Sequence, residues 1–89
     1  MFFPNRLLFI PPYANNARMI FDSSRIAIEL GRLGLTTEQF ARDIDVTLST
    51  VNHWKAGLTE PRGANLLKIA RRLGVDPEAF YIDESEAVA

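Results

Sequence analysis

The side chains best placed to do chemistry in this 89-residue sequence are Ser49, Thr50, Asn52 and His53. They are hydroxyl, amide and imidazole groups in one short stretch, with no acid among them. A catalytic reading needs a base, a nucleophile and an orienting group in one pocket. Ser49 and His53 stand one helical turn apart, but no carboxylate completes them, so no enzyme activity is expected. His53 is the single histidine and the chain has no cysteine. A metal site would lack both a second ligand at i+4 and any thiolate, so neither metal nor cofactor is expected. What remains is recognition by hydrogen bonding. Small neutral donors and acceptors on one helix face suit the edges of bases in a DNA major groove. The plainer reading of each residue is an ordinary solvated helix surface.

Such a face needs a helix held from behind, and residues 35–57, LTTEQFARDIDVTLSTVNHWKAG, supply one. They read as two short helices and a tight turn. The first runs from about Thr37 to Asp43, with Thr36 as N-cap and Glu38 and Gln39 in its first turn. The second runs from about Leu48 to Ala56, with Thr47 as N-cap, and Gly57 ends it in the left-handed conformation. Phe40, Ala41, Ile44, Val46, Val51 and Trp54 fall where both helices face a common core.

Around this pair the chain predicts three more helices. One starts at Ser23 or Ser24 and runs to about Leu33, with Ile26, Leu30 and Leu33 at helical spacing, Ala27 beside them and Gly34 as C-cap. The GRLG of Gly31 to Gly34 matches a GxxG motif of RNA-binding loops, but it sits at a helix end without the surrounding pattern. After a Pro- and Gly-containing loop, Leu58 to Gly63, a helix from Ala64 or Asn65 to Leu73 carries Leu66, Leu67, Ile69, Ala70 and Leu73. Arg71 and Arg72 read as solvated charge near its C-terminus. Asp76-Pro77-Glu78 opens a last short helix through Ala79, Phe80, Tyr81 and Ile82, and residues 83–89 read as a frayed acidic tail.

Residues 1–22 differ from the rest. Arg6 to Ile10 and Arg18 to Phe21 are short runs rich in aromatic and branched residues, separated by Pro11, Pro12, Asn15 and Asn16. They read as a β-hairpin or as an extended arm. A hairpin would need a partner to cover its apolar face, because two strands alone are marginal in water. The organisation is thus an N-terminal extension over 1–22, a helical domain over 23–82 and a tail over 83–89.

The bulk composition allows this. Hydrophobic residues make up 47% of the chain, enough for one small core. The N-terminal apolar run is broken by prolines and is too short for a membrane span, and it lacks a signal-cleavage pattern. The absence of cysteine is compatible with a cytoplasmic location. Net charge is −1, but its distribution is uneven. Asp76, Glu78, Asp83, Glu84 and Glu86 stand in a stretch with no Lys or Arg, so the preceding 75 residues hold ten basic groups against six acids, a net +4. A basic body permits DNA binding of modest, salt-sensitive affinity.

Taken in order, SSRI at Ser23 to Ile26, LGLT at Leu33 to Thr36, QFA at Gln39 to Ala41 and the turn Ile44-Asp-Val-Thr47 form a pattern. STVNHWKAG at Ser49 to Gly57, Glu60-Pro61, and LLKIARRLGV at Leu66 to Val75 followed by DPEAFY complete it. Over about two thirds of its length the chain resembles the phage-repressor type of helix-turn-helix, the XRE or Cro-like family. The resemblance implies an all-α, five-helix, lambda-repressor-like domain and a DNA-binding transcriptional regulator, with repression the expected sense. It implies that Thr47, Leu48, Ser49, Asn52 and His53 occupy the base-facing part of the recognition helix. Thr36, Thr37, Thr50, Lys55 and Arg62 then fall beside the phosphate backbone.

The chain departs from the family in three places. The turn carries Asp45 where glycine is usual; aspartate tolerates left-handed geometry better than most residues. A frequent arginine–glutamate pair is replaced by Leu30 and Lys55, which leaves Lys55 free to point at phosphate. The base-facing positions have no Arg, Gln or Lys, the strongest bidentate readers, so Asn52, Ser49, His53, a Leu48 contact to a thymine methyl or DNA shape must supply specificity. The expected partners are double-stranded DNA and a second copy of the chain, with the N-terminal extension as first candidate for the dimer surface. The rival reading is an antitoxin or adaptor of the same fold, with a toxin or other protein as partner.

Overall fold

The computed structural model describes residues 18–87. Strand β1 (Met19–Phe21) leads into helix α1 (Ser24–Leu33), followed by α2 (Thr37–Asp43), α3 (Leu48–Lys55) and α4 (Ala64–Leu73). A 3-10 turn, Pro77–Phe80, passes into strand β2 (Tyr81–Asp83), and Glu84–Ala87 adds one helical turn. The core is an unbroken apolar cluster drawn from every helix: Ile26 and Leu30 of α1, Phe40 and Ala41 of α2 with Ile44, Val51 and Trp54 of α3, Ile69, Ala70 and Leu73 of α4, and Phe80. The fold is helical with the four α-helices packed about this cluster.

Five helices are expected from the sequence; the described residues form four of them, with only a separate helical turn at Glu84–Ala87 beyond. At the fifth position the proline-led start produces a single 3-10 turn, after which Tyr81 is extended at φ −122° and ψ 140°. β2 pairs antiparallel with β1 in the register Met19↔Asp83, Ile20↔Ile82 and Phe21↔Tyr81. Asp22 N–H donates to the Phe80 carbonyl at 2.7 Å, and Glu84 N–H to the Arg18 carbonyl at 2.8 Å. Phe21 stacks on Phe80 at 6.3 Å and meets Tyr81 edge-on at 5.9 Å. Aromatic and branched side chains gain more on this pleated surface than in a solvent-facing helical turn. The second strand of the predicted hairpin therefore exists, with β2 as its partner; the proposed mate Arg6 to Ile10 lies outside the described residues. Within the expected tail, Asp83 ends β2 and Glu84–Ala87 form a helical turn, with Asp83 Oδ1 accepting from Ser85 N–H and Ser85 Oγ, both at 2.9 Å.

Three local expectations are corrected. Ser23 holds the N-cap position of α1 as the sequence suggests, but its side chain makes no cap bond; Asp22 Oδ1 instead accepts from Ser24 N–H at 3.1 Å and Ser24 Oγ at 2.6 Å. Leu33 and Leu67 are 39% and 51% exposed, and Ala27 is exposed, so the apolar stripes of α1 and α4 are narrower than the spacing predicts. Arg72 is not simply solvated: its Nε donates to Asp43 Oδ2 at 2.8 Å and ties α4 to the end of α2.

Glu29 centres a charged cluster on α1. It is buried, and its carboxylate accepts from Arg25 Nε at 2.8 Å and Arg32 Nε at 2.6 Å. Arg25 reaches on to the Ala79 carbonyl and Arg32 to the Leu73 carbonyl, at 3.3 and 2.9 Å. One carboxylate thus fastens α1 to the end of α4 and to the 3-10 turn. Hydrogen bonding from Arg32 and then Arg25 holds its carboxyl below the usual range, against the opposing effect of burial.

Candidate nucleic-acid interface

The interface begins with the turn between α2 and α3. Asp45 adopts φ +60°, the one non-glycine residue at positive φ among those described. It reverses the chain so that Val46 N–H donates to the Ala41 carbonyl at 3.0 Å. Thr47 then caps α3 in extended geometry, its Oγ1 accepting from Thr50 N–H at 3.1 Å. The two hydroxyls of Thr47 and Thr50 also share a hydrogen bond at 2.8 Å. Thr50 is half-buried and fixes the helix start as much as it faces outward.

Beyond the cap, α3 divides into two faces. Val51 is fully buried and Trp54 retains 3% exposure, both against the core. Ser49, Asn52 and His53 are exposed on the opposite face, with Leu48 at its N-terminal edge, 41% exposed. The helix closes as the His53 carbonyl accepts from Leu58 N–H at 2.9 Å and Thr59 N–H at 3.4 Å. Gly57 makes this reversal at φ +76°, where a Cβ would also stand 3.4 Å from Ser23 Oγ. The positive φ is what selects glycine there, since a Cβ would make only ordinary contact with Ser23.

At the start of α2 the expected Thr36 cap is present and forms a capping box with Gln39. Thr36 Oγ1 accepts from Gln39 N–H and Gln39 Oε1 accepts from Thr36 N–H, both at 3.0 Å. Lys55 is not free: its Nζ donates to Thr37 Oγ1 at 2.8 Å, bridging the end of α3 to the first turn of α2. That contact uses one of three ammonium donors and leaves the charge beside Thr36 and Thr37. Arg62 is exposed in the following loop, next to the fully buried Pro61. The residues singled out from the sequence thus fall on adjoining segments: Thr36 and Thr37 at the start of α2, bridged by Lys55 from the end of α3, with Leu48, Ser49, Asn52 and His53 exposed on α3 and Arg62 exposed in the loop after it.

Sequence reasoning missed two members of this region. Tyr81 OH donates to Glu60 Oε2 at 2.8 Å, joining β2 to the loop after α3. Burial, and then the Glu60 carboxylate, raise the phenol above its ordinary value, so it stays protonated and able to donate. Between β1 and this loop lies a groove of about 610 Å3, lined by Ile20, Phe21, Gly57, Leu58, Thr59, Glu60 and Arg62. Nothing local in the sequence points to the Tyr81–Glu60 pair. Among the described residues no group of His, Asp and Glu gathers as a metal site, and no helix is long and apolar enough to cross a membrane.

The chain is similar to several known proteins. The chain is 48% identical over 40 residues to an uncharacterised helix-turn-helix transcriptional regulator of Haemophilus influenzae, a match over 45% of this chain and 17% of that protein. The chain therefore spans less than a fifth of that relative's length. The P22 c2 repressor in complex with a synthetic operator superposes with a TM-score of 0.65 at 23% identity, covering 68% of this chain and 92% of that one. SinR in the SinR–SinI complex superposes with a TM-score of 0.63 at 19% identity, covering 76% and 66%. At these identities the superpositions establish a shared lambda-repressor-like fold. The pattern of the helix-turn-helix family matches residues 26–80, so the chain belongs to the XRE-type helix-turn-helix family.

Proposed function

We propose that this protein is a DNA-binding transcriptional regulator, acting as a repressor, with α3 seated in the major groove. The observation that carries the reading is the division of α3: Ser49, Asn52 and His53 exposed together, Val51 and Trp54 buried behind them. In this reading Thr47, Leu48, Ser49, Asn52 and His53 face the bases. Thr36, Thr37, Thr50, Lys55 and Arg62 flank the phosphates. Two copies bound across a two-fold axis would read half-sites about 34 Å apart, and the segment preceding Arg18 is the candidate dimer contact. Proteins of the same family and the operator-bound repressor of the same fold support the reading. The test is binding to random-sequence duplex across a salt series. A steep negative slope of log affinity against log salt is expected, falling by about one for each of Lys55→Ala and Arg62→Ala.

One observation favours a second reading, a protein-binding adaptor or antitoxin that engages a toxin or other partner. The exposed face of α3 has no Arg, Gln or Lys before Lys55. A chain that fails to bind any duplex at low salt would support this alternative.

A further inference from the structure

The loop after α3 carries a carboxylate, Glu60, close in sequence to its one cation, Arg62. Glu60 stands two residues before Arg62, and both line the groove beside β1. Left free, a carboxylate there would repel the same phosphates that Arg62 attracts. The loop is held at three points. Gly57 turns it, Pro61 is buried in the body, and the Tyr81 phenol binds Glu60 Oε2 at 2.8 Å. The Tyr81 ring is itself fixed edge-on to Phe21, and its backbone is registered opposite Phe21 in the two-stranded sheet.

We infer that Tyr81 is a positioning residue for nucleic-acid binding: its hydroxyl draws the Glu60 carboxylate back toward β2 and so leaves Arg62 as the charge the loop offers to phosphate. The inference rests on the DNA-binding reading and deepens it. It assigns the β1–β2 sheet a part in binding, although neither strand belongs to the helix-turn-helix pair. The phenol is suited to this because it donates a hydrogen bond while remaining neutral, so it restrains the carboxylate without adding a charge of its own.

The test measures binding of the full chain to a random-sequence duplex at low salt for the wild type, Tyr81→Phe, Glu60→Gln and the double variant, with thermal melting of each. Tyr81→Phe keeps the ring against Phe21 and removes only the donor, so the released carboxylate should weaken binding by roughly three- to tenfold. Glu60→Gln should bind as well as the wild type or better, and Tyr81→Phe with Glu60→Gln should return to the Glu60→Gln value. That rescue separates charge restraint from simple loss of loop order, which removing a carboxylate would not repair. Tyr81→Phe binding like the wild type, or a double variant as weak as Tyr81→Phe, overturns the inference while leaving the DNA reading intact. A wild type that binds no duplex overturns both.

Discussion

His53 and Trp54 are neighbours in the chain and opposites in environment. The imidazole is exposed, while the indole is 3% exposed behind it. Removing each should therefore have a different signature. Trp54→Ala removes a large core side chain and should cost about 3–5 kcal/mol in urea unfolding. Asn52→Ala and His53→Ala should stay within about 0.5 kcal/mol of the wild type in the same measurement. Their effect should appear instead as about 1–3 kcal/mol of lost discrimination between a selected duplex and random DNA.

Glu29 makes a separate prediction, about pH. Its folded pKa is depressed by Arg32 and Arg25. Its contribution to stability is therefore fully present at neutral pH and is lost as pH falls through and below the ordinary carboxylate range. Urea midpoints measured downward from pH 7 should fall for the wild type. Glu29→Gln should start lower, because the two guanidinium groups lose the carboxylate charge and one of its two acceptor oxygens, and should fall less steeply. Equal slopes for the two proteins would show that the clamp carries no titration.

At the scale of elements, the helix-turn-helix pair depends on its two threonine caps and on Asp45. Thr36→Ala and Thr47→Ala should each cost about 1 kcal/mol. Asp45→Gly should be neutral or stabilising by up to about 1 kcal/mol, and Asp45→Val clearly destabilising, because φ +60° is disfavoured for branched side chains. Chemical denaturation checks all four. These devices are local, and for that reason they were legible: Thr36 with Gln39, Thr47 with Thr50, and Gly57 each act within four residues of their partners.

The features the sequence hid are those whose partners lie far along the chain. β2 reads locally as a continued helix, and only Phe21, sixty positions earlier, turns Tyr81 into a strand residue. The Lys55–Thr37 bridge depends on how α2 and α3 cross, which no spacing encodes. Leu33 and Leu67 show that helical periodicity marks a face without marking its edges. The Glu29 clamp was within reach, since Arg25, Glu29 and Arg32 stand at i, i+4 and i+7. It is easily overlooked because charged side chains are seldom buried.

At the scale of the whole molecule, the first and last described strands meet. β1 and β2 close a small sheet on the core, and Arg18 and Glu84 stand 3.8 Å apart at its far end, both well exposed. That exposed pair should contribute little to stability. The sheet itself should matter more, through Phe21 and Phe80. The segment before Arg18 lies outside the described residues. If that segment forms the proposed dimer contact, a chain lacking residues 1–17 should weigh as a monomer in solution where the full chain weighs as a dimer. An unchanged mass would move the two-fold contact elsewhere.

The central claim is that the exposed side of α3 and its flanks meet DNA. Amide chemical-shift mapping during titration with a short duplex selected from a random pool tests it most directly. The account predicts that shifts concentrate at Thr36 and Thr37, from Thr47 to His53, and from Leu58 to Arg62, while α1 and the exposed side of α4 stay still. Shifts confined to α1, α4 or the β1–β2 sheet, with Ser49, Asn52 and His53 unmoved, would contradict it.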